Sequence, residues 1–325
     1  MTYQLDELNL ESTLGQTGVL DNSRAIPVID FSDFEDRREE IKEALWDAAT
    51  QVGFFQIRNH PIPMALIDES FAHSERLFSL TKEEKAKFSL LDGQNAGWEY
   101  KNQVRPSTGT ADQKESYQIT LPKMEGLWPS QQQLPDFKEQ LLEMEHRAWQ
   151  LGMAILSCFA EKLGKPSDFF TDAHDRASGQ YQSTLRLLHY LPLDKSYIPQ
   201  AGIWRAGAHS DFDCLTMVFQ RTGQDGLQVC PGKDAHHKQS WTEVPAYNDV
   251  ITCNIGDMLM RWSDDKLKST LHRVIMPQHI GAHPARYSMA FFCQANKDQL
   301  IESALDKYDS MTAAEYLRYR LSANF

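Results

Sequence analysis

The chain is short of cysteine, of basic charge and of long apolar runs, and each shortage closes off a class of protein. Its five cysteines (Cys158, Cys214, Cys230, Cys253 and Cys293) are odd in number, scattered and without a C-x-x-C pair. That pattern argues against a disulfide scaffold and a zinc-thiolate centre, and it fits a reduced intracellular setting. Lys and Arg together number 33 against 45 Asp and Glu, a formal net charge of -12. A binder of the phosphate backbone needs a basic footprint, so this balance argues against one. No apolar run approaches membrane-spanning length, and the first residues, Met1 to Glu7, carry neither the charged nor the apolar region of a secretory signal. Internal repeats and low-complexity segments are also missing. The expectation is a soluble, cytoplasmic protein that acts on a small molecule, with no nucleic-acid and no membrane partner.

What is present is an ordinary globular balance in 325 residues, 41% hydrophobic and 24% charged. Residues 1–25 read as a polar arm. Residues 26–130 read as an N-terminal α/β region: Ile26 to Phe31 and Phe54 to Asn59 as strands, with helices carrying Ile41, Leu45, Ala48 and Val52, then Ile67, Phe71 and Phe78. Thr81 with Glu84 forms a capping box for a further short helix. Residues 92–118 show no periodicity yet carry Trp98, Tyr100, Arg105, Lys114 and Tyr117. Two readings are open there, a binding lid or a plain surface loop. Residues 131–179 hold the longest helix, Pro135 to Leu163, with a stripe of Phe137, Leu141, Met144, Ala148, Leu151, Ile155 and Cys158 and a capping Gly164. From residue 180 to 295 the texture changes to short strands: Thr184 to Leu191, His209 to Gln220, Gly226 to Val229, Trp241 to Val244, Val250 to Ile255, Leu271 to Ile275 and Tyr287 to Phe292. So many short strands in sequence predict a mainly β fold with bracing helices, a sandwich or jelly-roll barrel. Residues 296–325 end in a helix with its own capping box, and the whole reads as one catalytic unit.

The chemistry is concentrated in Ala208-His209-Ser210-Asp211-Phe212. On a strand, residues two apart share a face, so His209 and Asp211 would present an imidazole and a carboxylate side by side. Taken alone, H-x-D is a common pattern, and the plainer reading, a hydrogen-bonded histidine and a turn aspartate, is the favoured one. His272, in a later strand, supplies a second imidazole, and two imidazoles with one carboxylate are the donor set of non-haem iron(II) oxygenases. His236, His237, His279 and His283 fall in loops and are expected to face solvent. Arg286 and Ser288 share a strand face and together make a carboxylate clamp. Read alone, Arg286 is a surface charge on an edge strand; its place fourteen residues after His272 weighs against that reading.

These residues carry a resemblance. Residues 26–325 resemble the iron(II)/2-oxoglutarate-dependent dioxygenases of the isopenicillin N synthase-like family. The matching pieces are Ile26-Pro27-Val28-Ile29-Asp30, Gly53-Phe54-Phe55-Gln56-Ile57, His209-Ser210-Asp211-Phe212, Asn254-Ile255-Gly256-Asp257, Lys268 to Val274 and Arg286-Tyr287-Ser288. The resemblance implies a double-stranded β-helix core, with iron(II) held by His209, Asp211 and His272 as the catalytic centre. It implies that Arg286 and Ser288 hold the distal carboxylate of 2-oxoglutarate, supported by Tyr190, with dioxygen as the other cosubstrate. Many members have Asn two residues before that tyrosine, where this chain has Leu188. The implied reaction is hydroxylation of a small organic substrate, or a related C–H oxidation such as desaturation or ring expansion, in secondary or small-molecule metabolism. A broader likeness, resting on no motif, is to fungal tropolone-pathway ring-expanding enzymes.

Strand parity puts Arg186 and Leu188 on the face of Tyr190, and Phe292 on that of Arg286. Arg186 therefore pairs either with an anionic or phenolic substrate or with an internal acid. Phe292, Trp98, Arg105 and Tyr117 complete the candidate substrate set. Two competitors keep the fold: an oxidase of the isopenicillin N synthase type that does not use 2-oxoglutarate, and a non-catalytic small-ligand sensor. Succinate released per turnover separates the first, and the intact His209, Asp211 and His272 argue against the second. A zinc hydrolase would leave the Arg286 clamp without a purpose.

Overall fold

The computed structural model describes residues 18–21, 23–91, 93–102, 111–198, 203–230, 240–305 and 307–324. Its strands are β1 (Val19–Leu20), β2 (Val28–Asp30), β3 (Phe54–Arg58), β4 (Gly97–Tyr100), β5 (Lys114–Ile119), β6 (Thr184–Tyr190), β7 (Ala206–His209) and β8 (Leu215–Phe219). They continue with β9 (Leu227–Cys230), β10 (Ser240–Glu243), β11 (Val250–Ile255), β12 (Leu271–Val274), β13 (Arg286–Cys293), β14 (Leu300–Ile301) and β15 (Met311–Thr312). The α-helices are α1 (Arg38–Gln51), α2 (Met64–Ser79), α3 (Lys82–Lys85), α4 (Phe137–Lys162), α5 (Phe169–Ala173), α6 (Asp257–Trp262) and α7 (Ala313–Asn324).

From β6 onward, successive strands are dealt between two sheets. The larger runs β2-β3-β11-β8-β13-β6-β5-β4 and the smaller β1-β10-β9-β12-β7. Strands β6, β8, β11 and β13 fall in the first, and β7, β9, β10 and β12 in the second. This interleaving is the double-stranded β-helix, and every sheet change brings a turn to one rim of the barrel.

Register sorts the side chains. One row of paired residues crosses the larger sheet: Ile29, Ile57, Ile251, Phe219, Met289, Leu187, Tyr117 and Trp98. The row is apolar, and its members pack in the core shared with the helices. The α4 stripe seen in the sequence is buried throughout and lies against β8 and β13. Each large apolar side chain buried there contributes about 1.5–3 kcal/mol. One residue along, parity reverses, and the paired row is Gln56, Thr252, Val218, Ala290, Arg186 and Gln118, facing the smaller sheet.

Helix α1 also sets the approach to His272. Gly53, at φ +77°, follows it, and a Cβ there would lie 2.0 Å from the Lys268 carbonyl oxygen. Lys268 donates its N–H to Ala49 O (3.0 Å), and the Thr270 hydroxyl donates to Val52 O (2.6 Å). The segment entering β12 is thereby stitched to the end of α1.

Two expectations need correction. The stretch 92–118 is not irregular throughout: its described ends are β4 and β5, which pair and extend the larger sheet beyond β6. The strand expected from His209 to Gln220 is two strands, β7 and β8, because the chain crosses between sheets there. Asp211 therefore lies in a turn. Helix α6, which packs behind that turn, and the small β14-β15 ladder were not anticipated. Both expected capping boxes form, Thr81 with Glu84 and Thr312 with Glu315.

Candidate active site

His209 ends β7 and His272 is the second residue of β12, and the two are direct partners across the smaller sheet. Their rings sit 4.3 Å apart between centroids. The turn after β7 swings Asp211 against both. Its Oδ1 is 3.8 Å from His209 Nε2, and its Oδ2 is 3.7 Å from His272 Nε2. One donor atom from each residue falls within 4.8 Å of the other two.

The surroundings prepare these atoms for a metal. His209 Nδ1 lies 2.7 Å from Gly207 O, and His272 Nδ1 lies 3.2 Å from Thr270 O. A carbonyl oxygen only accepts, so Nδ1 carries the proton in both rings and the lone pair falls on Nε2. Asp211 Oδ2 accepts from the Thr216 hydroxyl (2.6 Å) and from Asn254 Nδ2 (2.9 Å). Phe54 sets its ring edge-on to His272, centroids 5.4 Å apart. Two neutral imidazoles and a fixed carboxylate on a barrel rim suit iron(II) and leave one side open for exogenous ligands.

The larger sheet carries a cationic end where β13 begins beside the end of β6. Arg286 is 3% exposed and has no carboxylate partner among the described residues. Its Nε donates to Gln224 O (2.7 Å), its Nη1 reaches the Ser288 hydroxyl at 3.5 Å, and its guanidinium lies 4.7 Å from the Tyr190 ring centroid. A second guanidinium, that of Arg205, lies 5.9 Å from the same ring. Arg205 is 8% exposed and likewise has no carboxylate partner among the described residues. Burial and the nearby Arg286 charge lower its pKa to about 10. Two buried cations without a carboxylate partner among the described residues define a place for an anion. Lys114, paired with Tyr190 in register, is neutralised by Asp112.

Leu188, Ala290 and Val218, all apolar, share the face of the larger sheet that carries Arg286 and Arg186. Arg186, the register partner of Ala290, places its guanidinium 4.9 Å from the Phe292 ring centroid and donates from Nη2 to Asn95 Oδ1 (3.3 Å). Gln118 is Arg186's partner on β5, and its buried Oε1 has no hydrogen-bond donor among the described residues.

The structure thus brings together His209, Asp211 and His272, gathers Arg286, Ser288 and Tyr190, and sets Arg186 beside Phe292. It does not bring in Trp98 or Tyr117. Both belong to the apolar row on the helix side: Tyr117 donates its hydroxyl to Leu127 O (2.7 Å), and Trp98 donates Nε1 to Glu115 (2.7 Å). Arg105 and the His236-His237 pair lie outside the described residues. His279 is exposed and His283 half-buried, the latter bonded to the His279 carbonyl. Sequence reasoning missed Arg205, Thr216, Asn254, Asn95 and Gln118. Arg205 was not reachable by strand parity: it precedes β7, and the register of β7 against β12 shifts between His272 and Val274.

Comparison with known proteins gives a consistent picture. The profile of the non-haem dioxygenase N-terminal region, described as from morphine synthesis, matches residues 26–139, and that of the 2OG-Fe(II) oxygenase superfamily matches residues 181–295. A 2-oxoglutarate-dependent dioxygenase of Trichoderma harzianum is 34% identical over 269 residues, 77% of this chain and 80% of the relative. A proline hydroxylase of Petromyces alliaceus is 31% identical over 320 residues, 90% of this chain and 97% of the relative. Among solved structures, a full-length Neurospora crassa protein in complex with alpha-KG superimposes with a TM-score of 0.81 at 29% identity, covering 95% of this chain and all of that one. The same Neurospora protein has been solved with alpha-KG and thymine.

Proposed function

The chain belongs to the 2OG-Fe(II) oxygenase superfamily, and from that premise we propose that His209, Asp211 and His272 hold its iron(II) while Arg286, Ser288 and Tyr190 hold the distal carboxylate of 2-oxoglutarate. The protein is an iron(II)/2-oxoglutarate-dependent dioxygenase of small organic molecules. When bound, iron(II), 2-oxoglutarate and dioxygen supply the oxidation, one oxygen atom leaving in succinate and the other becoming available to a substrate C–H bond.

The observation that carries the reading is the convergence of two Nε2 atoms and one carboxylate oxygen, together with a buried Arg286 that has no carboxylate partner among the described residues. The chain's own work is positional. The carbonyls of Gly207 and Thr270 fix the imidazole tautomers, and Thr216 and Asn254 hold the Asp211 carboxylate still. Arg286 orients the cosubstrate from its far end, and Arg205 adds a second positive charge beside the same phenol ring. Leu188, Ala290 and Val218 make the face beside these cations apolar. No general base is required of the protein.

For the substrate, we infer that Arg186 receives an anionic or phenolic oxygen, with Phe292 as the wall beside it and Gln118 Oε1 as an acceptor for a substrate N–H or O–H. The Neurospora crassa protein solved with thymine supports a site sized for a small ring beside the cosubstrate. The net charge of -12 supports a free small molecule over a nucleic acid, and the five free, buried cysteines support a reducing compartment such as the cytoplasm.

Succinate release tests both ends. Hydrogen bonds to a charged group contribute about 1.5–3 kcal/mol, so Arg286→Ala should raise the KM for 2-oxoglutarate by about 10- to 100-fold. Arg186→Met should leave that KM unchanged and abolish the stimulation given by whichever aromatic acid or phenol stimulates the wild type. An unchanged KM in Arg286→Ala would remove the cosubstrate assignment.

A further inference from the structure

Ser210 stands between the two ligands His209 and Asp211, and its hydroxyl donates to Asp257 Oδ2 (2.8 Å). Asp257 is the first residue of α6 and returns its N–H to the Asp211 carbonyl (2.8 Å). The next N–H, that of Met258, donates to Asp213 O (3.2 Å). Gly256 lets this contact close: a Cβ there would sit 2.2 Å from Asp213 O. The ligand turn is therefore a loop held from behind by the first turn of α6.

A third element completes the arrangement. Arg320, on α7 and without exposed surface, pairs with Asp257 Oδ2 at 2.9 Å and donates to the Ser210 hydroxyl at 3.2 Å. Its guanidinium lies 4.3 Å from the Phe212 ring centroid. A helix that merely adheres needs only apolar residues, and α7 buries Ala313 and Tyr316 for that purpose. A fully buried guanidinium carries a desolvation penalty that an apolar side chain does not. What it adds is direction: it fixes the Asp257 carboxylate, the Ser210 hydroxyl and the Phe212 ring at once.

We propose that Arg320 is a positioning residue for the iron site, locking the C-terminal helix to the turn that carries Asp211, so that α7 is a working part of the metal centre. Without Arg320, the buried Asp257 carboxylate would lose this cation, and its departure toward water would drag the N–H that holds the Asp211 carbonyl. The proposal rests on the iron-site reading above.

The test uses the full chain and anaerobic titration with Fe(II) alone, together with the absorption spectrum of the Co(II)-loaded protein and melting in the presence of a chelator. The variants are Arg320→Lys, the charge-neutral Asp257→Asn/Arg320→Gln pair, His209→Ala, and Leu141→Ala as a destabilised control in α4. Both Arg320 variants should raise the Fe(II) Kd about tenfold or more and shift the Co(II) bands. Leu141→Ala should melt lower and bind Fe(II) as the wild type does. Wild-type Fe(II) affinity and Co(II) bands in both Arg320 variants, with binding still lost in His209→Ala, would overturn the proposal alone. Wild-type binding in His209→Ala would overturn the iron-site reading and the proposal with it.

Discussion

Tyr117 and Gln118 are neighbours in the chain and occupy opposite sides of the larger sheet. Tyr117 pairs with Leu187 in the apolar row under the helices, and Gln118 pairs with Arg186 inside the barrel. A one-residue offset decides which is packing and which is site. Sequence reasoning took Tyr117 because an aromatic in a loop reads as a binding residue. The clue that would have reversed it was short: Ser116-Tyr117-Gln118-Ile119 alternates polar and apolar, and Glu115 breaks the alternation on the face of Tyr117. Tyr117→Phe should lower stability by about 0.5–1.5 kcal/mol, the worth of one hydrogen bond, and leave the KM for 2-oxoglutarate unchanged. Denaturant melts and succinate release read the two effects separately, and a raised KM would return Tyr117 to the site.

At the scale of elements, the informative place is where the chain changes sheet. The H-x-D motif, common by itself, was legible as a metal site only with His272 and the Arg286/Ser288 pair beside it, and its setting was not. Strand parity put His209 and Asp211 side by side on one strand, whereas Asp211 reaches His209 through a turn between β7 and β8. Another element-scale device lies on the helix side. Glu115 of β5 accepts from Lys85 of α3 (2.9 Å), His189 of β6 (2.7 Å) and Trp98 of β4 (2.7 Å). Burial pushes its carboxyl up, but the three donors outweigh burial and hold it below its ordinary value of 4.5. A carboxyl lowered in the folded state adds stability that is present above its unfolded pKa and is lost as pH falls through the folded one. Glu115→Gln should therefore melt below the wild type at neutral pH, and the gap should narrow as pH drops below about 4.5. A gap constant from pH 7 to pH 3 would show that the carboxylate charge contributes nothing.

At the scale of the molecule, what could be read from sequence was whatever has a local period or a distinctive spacing. The α4 stripe, the run of short strands, the His209/Asp211/His272 set and the Arg286/Ser288 pair all have one. The pairing of β4 and β5 onto β6 and the reach of Arg320 into the ligand turn do not. Both depend on segments that meet only after folding, and a buried Arg320 looks like any surface arginine in the sequence of α7. The fold places these distant segments so that an anion-accepting end and a metal-accepting end share one barrel interior.

That shared interior is the central claim, and one optical titration tests it most directly. Apoprotein without oxygen receives Fe(II) and then 2-oxoglutarate, and the weak visible metal-to-ligand charge-transfer band is followed. The band should appear in the wild type, vanish in His209→Ala and weaken in Arg286→Ala. Fe(II) binding with no band on addition of 2-oxoglutarate, or a band of full strength in both variants, would contradict it.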